Sequence, residues 1–124
     1  MLFAGTTEGR KLCEYLTGKN CDTYVYVTTE YGRELLPQVD NVHIHTGRMD
    51  EADMLKELEA KKPYIVIDAT HPYATQVTHN IKNVCDSKNI SYVRVLREDN
   101  DKKPEFKSDN ITYVKSIKDV VELL

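Results

Sequence analysis

The sequence of 124 residues contains no apolar run approaching the roughly 18 residues that a membrane-crossing helix needs. It shows no secretory signal pattern, because Met1 leads straight into a strand-like segment. Cysteine is scarce. Cys13, Cys21 and Cys85 are odd in number and widely spaced, with no CxxC pair or other zinc spacing. They read as free, buried, inert thiols of a cytoplasmic protein. Neither sign of charge dominates: 17 Lys and Arg against 20 Asp and Glu leave a net charge of −3. That balance gives no global attraction to nucleic acid or to an anionic membrane. Internal repeats and low-complexity tracts are also missing.

What is present is the composition of a globular chain, with 40% apolar and 30% charged residues. Residues 1–124 have the length of a single domain. Short apolar runs alternate with segments of helical period. Strands are expected at Met1–Ala4, Asp22–Thr28, Val42–His45, Tyr64–Asp68, Ser91–Leu96 and Ile111–Val114. Helices are expected at Glu8–Leu16, Tyr31–Leu36 (ended by Pro37), Asp50–Ala60 and Pro72–Asp86. Arg97–Asn110 reads as a polar surface loop, and Ser116 as the cap of a last helix with Asp119 three residues on. Repeated β-then-α units predict an α/β fold: an open parallel sheet of five to six strands with helices on both faces.

The first strand runs into Gly5-Thr6-Thr7-Glu8-Gly9-Arg10. A glycine at this bend can take a positive φ and let phosphate oxygens approach the backbone. The following helix start adds unpaired amides and a positive dipole end. Thr6 and Thr7 offer hydroxyls, and Arg10 a forked cation. The usual dinucleotide fingerprint has three glycines, and here there are two. The plainer alternative is a tight strand-to-helix turn with Thr7 as its cap. Glu8 suits a supporting role in the first helical turn better than phosphate contact.

After the second strand come Thr28, Thr29, Glu30, Tyr31, Gly32 and Arg33. Residues here meet the adenosine ribose in dinucleotide folds. Glu30 argues for a free 2′-hydroxyl, and Arg33 with the threonines argues for a 2′-phosphate. NADPH and NADH both stay open. A third segment, Asp68-Ala69-Thr70-His71-Pro72-Tyr73-Ala74, leaves the most apolar strand at the end where open α/β sheets collect ligands. Pro72 suits a first helical position. Asp68 reads as an acceptor of backbone amides, and His71 as a ligand contact or proton donor. His43 and His45 alternate on a strand and read as edge residues, since a metal site would need a third ligand. Gly47 and Arg48 stand at another strand end.

Five segments then converge in order. AGTTEGRKL at 4–12, VTTEYGRELLP at 27–37, HTGRMD at 45–50, IDATHPYATQVTHNI at 67–81 and ISYVRVLRE at 90–98 resemble the precorrin-6A reductases of cobalamin biosynthesis, including the cobalt-precorrin-6A branch. The resemblance implies a Rossmann-like domain and hydride transfer from NADPH or NADH to a large anionic tetrapyrrole. It further implies that the chain is the N-terminal half of a two-domain reductase, whose C-terminal domain has no counterpart here. The cofactor set is then Gly5, Thr6, Thr7, Glu8, Gly9, Arg10, Thr28, Thr29, Arg33 and Thr70. Arg48, His71 and Tyr73 would meet substrate. His71 would also supply the proton, with solvent as its rival. A second function class is a non-catalytic nucleotide-binding or sensing module of the same fold.

Overall fold

A computed structural model describes residues 1–71, 73–95 and 111–114. The first strand, β1 (Leu2–Phe3), is followed by helix α1 (Thr7–Leu16), β2 (Thr23–Val27), the short α2 (Glu30–Glu34) and β3 (Val42–Thr46). Then come α3 (Glu51–Lys61), β4 (Ile65–Asp68), α4 (Thr75–Ser87), β5 (Ser91–Val95) and β6 (Ile111–Val114). The six strands form one sheet in the order β3-β2-β1-β4-β5-β6, and every pairing is parallel. The sequential neighbours β3 and β4 lie on opposite sides of β1. The strand order therefore reverses beside β1, which is where such sheets open a ligand crevice.

Alternation along each strand divides the core into two layers. Leu12, Cys13 and Leu16 of α1 pack with Leu2, Val25 and Ile67 on one face. Met54 and Leu58 of α3, with Ile81, Val84 and Cys85 of α4, pack with Phe3, Tyr26, Val66 and Tyr92 on the other. Each such side chain stabilises the fold by about 1.5–3 kcal/mol through removal from water. Under α3, Phe3 stacks on Tyr26 with centroids 5.0 Å apart, and Tyr26 lies 5.6 Å from His45. The Tyr26 hydroxyl donates to Glu57 of α3 at 2.8 Å, which ties helix to sheet.

The helix boundaries differ from expectation at three places. Thr6, not Thr7, caps α1, its Oγ1 accepting from the Gly9 amide at 3.2 Å. α2 stops at Glu34 rather than Leu36, because Leu36 turns inward to the core. α4 begins at Thr75, not Pro72: the chain first makes a turn in which the Ala74 amide donates to the His71 carbonyl at 2.9 Å. Asp50 and Asp53 form a reciprocal capping box at the start of α3. Leu96, the loop Arg97–Asn110 and the Ser116 cap lie outside the described residues. Among the described residues, no helix is long and apolar enough to cross a membrane.

The cysteines need a correction, because Cys21 is exposed whereas Cys13 and Cys85 are buried. Burial pushes the Cys13 thiol up to about 11 and the Cys85 thiol up to about 12. Both are thus protonated as well as inaccessible in mildly alkaline buffer. Iodoacetamide is expected to modify Cys21 at the rate of an open thiol, and the other two only after denaturant is added. Peptide mapping by mass spectrometry checks this; early alkylation of Cys13 would contradict the packing of α1.

Candidate functional site

The C-terminal ends of β1, β2, β3 and β4 carry two adjoining clefts. Gly5 leaves β1 with φ of +152°, and a Cβ built there would meet nothing within 4 Å. Glycine is therefore present for backbone conformation, and space stays open above it. Gly9 is buried for a different reason: a Cβ there would come within 3.1 Å of the Ala4 Cα and 3.3 Å of the Ala69 Cβ. It lets α1 rest directly on the ends of β1 and β4. Thr6 joins the two loops, because its hydroxyl also donates to the Ala69 carbonyl at 2.6 Å.

The first cleft, about 340 Å³, lies between this loop and the start of α2. Gly5, Thr6, Thr7, Arg10, Thr28 and Thr29 line it, and so do Tyr31 and Gly32. Glu8, Gly9, Glu30 and Arg33 do not. Arg10, half-buried, stands 3.9 Å from the exposed Glu14, and so long a pair leaves the guanidinium available. Thr29 caps α2 by accepting from the Gly32 amide at 3.0 Å, and its hydroxyl proton remains able to donate outward.

The second cleft, about 390 Å³, shares Ala4, Val27 and Thr28 with the first and opens on the α3 and α4 side. Its floor is apolar, with Phe3, Met49, Met54 and Val77, and its polar lining includes Arg48, Thr70, Gln76 and Asn80. His71 and Tyr73 are exposed on the turn that follows Thr70, their rings 5.0 Å apart, and neither lines the cleft. The Tyr73 amide donates to His71 Nδ1 at 3.1 Å. That contact places the proton of the neutral ring on Nε2, which makes it a hydrogen-bond donor.

Beneath the Thr70 turn lies a polar cluster that sequence reasoning missed. Asp68 is 0% exposed, and its Oδ1 accepts from the Thr70 amide at 3.0 Å, the Thr70 hydroxyl at 2.6 Å and Arg94 at 3.1 Å. Its Oδ2 accepts from Thr78 of α4 at 2.8 Å and from Tyr92 of β5 at 2.6 Å. Burial, then the charge of Asp68, pushes the Tyr92 phenol far above its usual range. The expected amide contact of Asp68 is there, as one of five bonds. The signal that could have found the rest is Arg94 inside the apolar strand SYVRV, directly across the ladder from Asp68.

His43 and His45 are exposed on the edge strand β3, where His43 contacts Asp22 at 3.2 Å and stacks on Tyr24. Among the described residues, no three His, Cys, Asp or Glu side chains come together as a metal site. One Tyr-xxx-Lys spacing of the kind used by short-chain reductases occurs, Tyr15 to Lys19, but neither residue lines either cleft.

Comparison with known proteins adds a consistent set of likenesses. The family model described as precorrin-6x reductase CbiJ/CobK matches residues 1–124. The cobalt-precorrin-6A reductase of Methanothermobacter thermautotrophicus is 33% identical over 99% of this chain and 39% of its own length. The Salmonella typhimurium protein of the same name is 30% identical over 78% of this chain and 36% of its own. That of Synechocystis is 28% identical over 77% and 37%. A solved structure of CobK precorrin-6A reductase superposes with a TM-score of 0.65 at 22% identity, covering 87% of this chain and 40% of that one, which supports the fold. The chain thus spans well under half the length of these relatives.

Proposed function

The chain belongs to the precorrin-6x reductase CbiJ/CobK family, and from that premise we propose that it forms the cofactor-binding part of a reductase acting on precorrin-6A or cobalt-precorrin-6A. The observation that carries this reading is the cleft between the glycine loop and α2, at the strand ends beside the reversal of strand order. Its residues fit the phosphates and ribose of NADPH or NADH: open space over Gly5, a helix start, the Arg10 cation and the hydroxyls of Thr7, Thr28 and Thr29. Thr6 contributes by shape and by its backbone, its side chain being engaged with Gly9 and Ala69.

A bound nicotinamide supplies the hydride. The residues of the chain bind, orient and polarise. Thr70 stands at the second cleft, next to the reversal point, where the far end of a cofactor lying across β1 would arrive. His71, exposed on the turn after Thr70 and carrying its proton on Nε2, is our candidate for holding or passing the proton. Arg48 and the exposed ring of Tyr73 suit a large, flat molecule rich in carboxylates. The remainder of a full-length reductase would close the other wall of both clefts.

Titration of the full-length protein with NADH and NADPH, followed by an anaerobic assay with both tetrapyrroles, tests the reading. Binding of neither nucleotide would sink it. Nucleotide binding with no reduction of either substrate would favour a sensing module. Arg10→Ala is expected to weaken nucleotide affinity about tenfold, the worth of one exposed charge-assisted contact. Isothermal titration checks this, and an unchanged dissociation constant would remove Arg10 from the site.

A further inference from the structure

Three successive carbonyls at the end of β4 are held by side chains from elsewhere. The Asp68 carbonyl accepts from Arg94 Nη1 at 3.2 Å, the Ala69 carbonyl from the Thr6 hydroxyl at 2.6 Å, and the Thr70 carbonyl from Arg94 Nη1 at 2.9 Å. The last of these belongs to the peptide plane that joins Thr70 to His71. Arg94 is only 5% exposed, and the same nitrogen also meets the Asp68 carboxylate.

Stability alone is a poor reason for this arrangement. A buried ion pair costs much of its attraction in desolvation, and a well-packed apolar pair often serves as well or better. What an apolar pair cannot do is fix the direction of two carbonyls, an amide and three hydroxyls at once. The cluster also reaches all the elements around the turn: β4 through Asp68, β5 through Tyr92 and Arg94, α4 through Thr78, with the glycine loop attached through Thr6.

We propose that Arg94 is a positioning residue: paired with Asp68, it locks the Thr70–His71 peptide plane and so sets where Thr70 and His71 stand against the reacting end of the cofactor. This rests on the reductase reading above. The adenosine and phosphate end lies in the other cleft, whose lining includes none of Asp68, Thr70 or Arg94. Loss of Arg94 should therefore act on turnover and spare nucleotide affinity.

The test uses the full-length enzyme with Arg94→Met, Arg94→Lys, and a double variant combining Asp68→Asn with Arg94→Met. In Arg94→Met, kcat is expected to fall about 100-fold, the scale of a 1 Å misplacement, while the nucleotide dissociation constant stays near wild type. Lysine should restore most of the turnover, because all the contacts given for Arg94 run from one nitrogen and an ammonium has three protons to replace it. The double variant removes both charges, so it is expected to regain stability without regaining kcat. Wild-type turnover per folded molecule in Arg94→Met, or full turnover in the double variant, would overturn the proposal. Should the wild-type enzyme reduce neither tetrapyrrole, the reductase reading fails by itself. Amide exchange at Thr70 and His71 then decides on positioning: faster exchange confined to this turn in Arg94→Met supports it, and unchanged exchange refutes it.

Discussion

Asp68→Ala is expected to remove about 3–5 kcal/mol of folding stability, the usual loss when one partner of a buried ion pair is deleted. The side chain is fully buried and accepts five hydrogen bonds. Alanine would leave the Arg94 guanidinium in the core without its counter-charge, and the hydroxyls of Thr78 and Tyr92 without their acceptor. Each buried donor so stranded costs about 1–3 kcal/mol more than a lost surface bond suggests. In urea, where slopes of about 1–3 kcal/mol/M are typical, the unfolding midpoint should drop by roughly 2 M with little change of slope. A double-mutant cycle with Arg94→Met should return a coupling of more than about 1 kcal/mol. A loss below that level in the single variant would mean that the pair behaves like an exposed one, against its burial.

The second large effect is expected at Gly9. Valine there should destabilise the fold by about 1–3 kcal/mol, as overpacking does in a well-filled site. Its Cβ would press on the backbone of Ala4 at 3.1 Å, and its branches would reach further toward Ala69. The helix must then lift from the sheet and carry the phosphate-facing loop with it. A fall in the melting temperature of several degrees should therefore accompany weaker nucleotide binding. Alanine is the control. It gains about 1 kcal/mol of helix propensity over glycine, which offsets much of a smaller clash. An unchanged melting temperature for Gly9→Val would show that α1 does not sit as close to β1 as described. A variant such as Gly9→Asp would report on packing before it reported on phosphate.

These two residues also show what the sequence carried and what it did not. The strand-helix alternation, the apolar run at β4 and the position of the glycine loop are local patterns, and the sheet follows from them. Thr6 as cap and the late start of α4 were lost because threonines at 6 and 7 are equivalent in one dimension. Pro72, moreover, looks like a helix opener wherever an apolar stripe follows. Gly9 was legible as a phosphate glycine, since no window of sequence shows Ala4 and Ala69 beneath it. Arg94 interrupts the apolar run SYVRV, but its pairing was hidden for a similar reason. Its partner is 26 positions away, and only the ladder register brings the two opposite each other. The lining of the first cleft comes from two local segments, the glycine loop and the stretch from Val27 to Leu36. The second cleft needed four strand ends and two helices to exist.

The placement of β1 has a consequence for synthesis. This two-residue strand precedes the other five described strands in chain order, yet it lies between β2 and β4 in the finished sheet. One edge can be paired once Val27 is made, and the β1-β2-β3 ribbon once Thr46 is made. The other edge waits for Ile67 and Asp68. Until those residues emerge, the nascent protein carries an open strand border at its most apolar point. Such borders invite pairing with neighbouring chains. Closing that border also closes the longest contact of the central strands, so assembly of the two sheet halves and completion of the ligand crevice are the same late event.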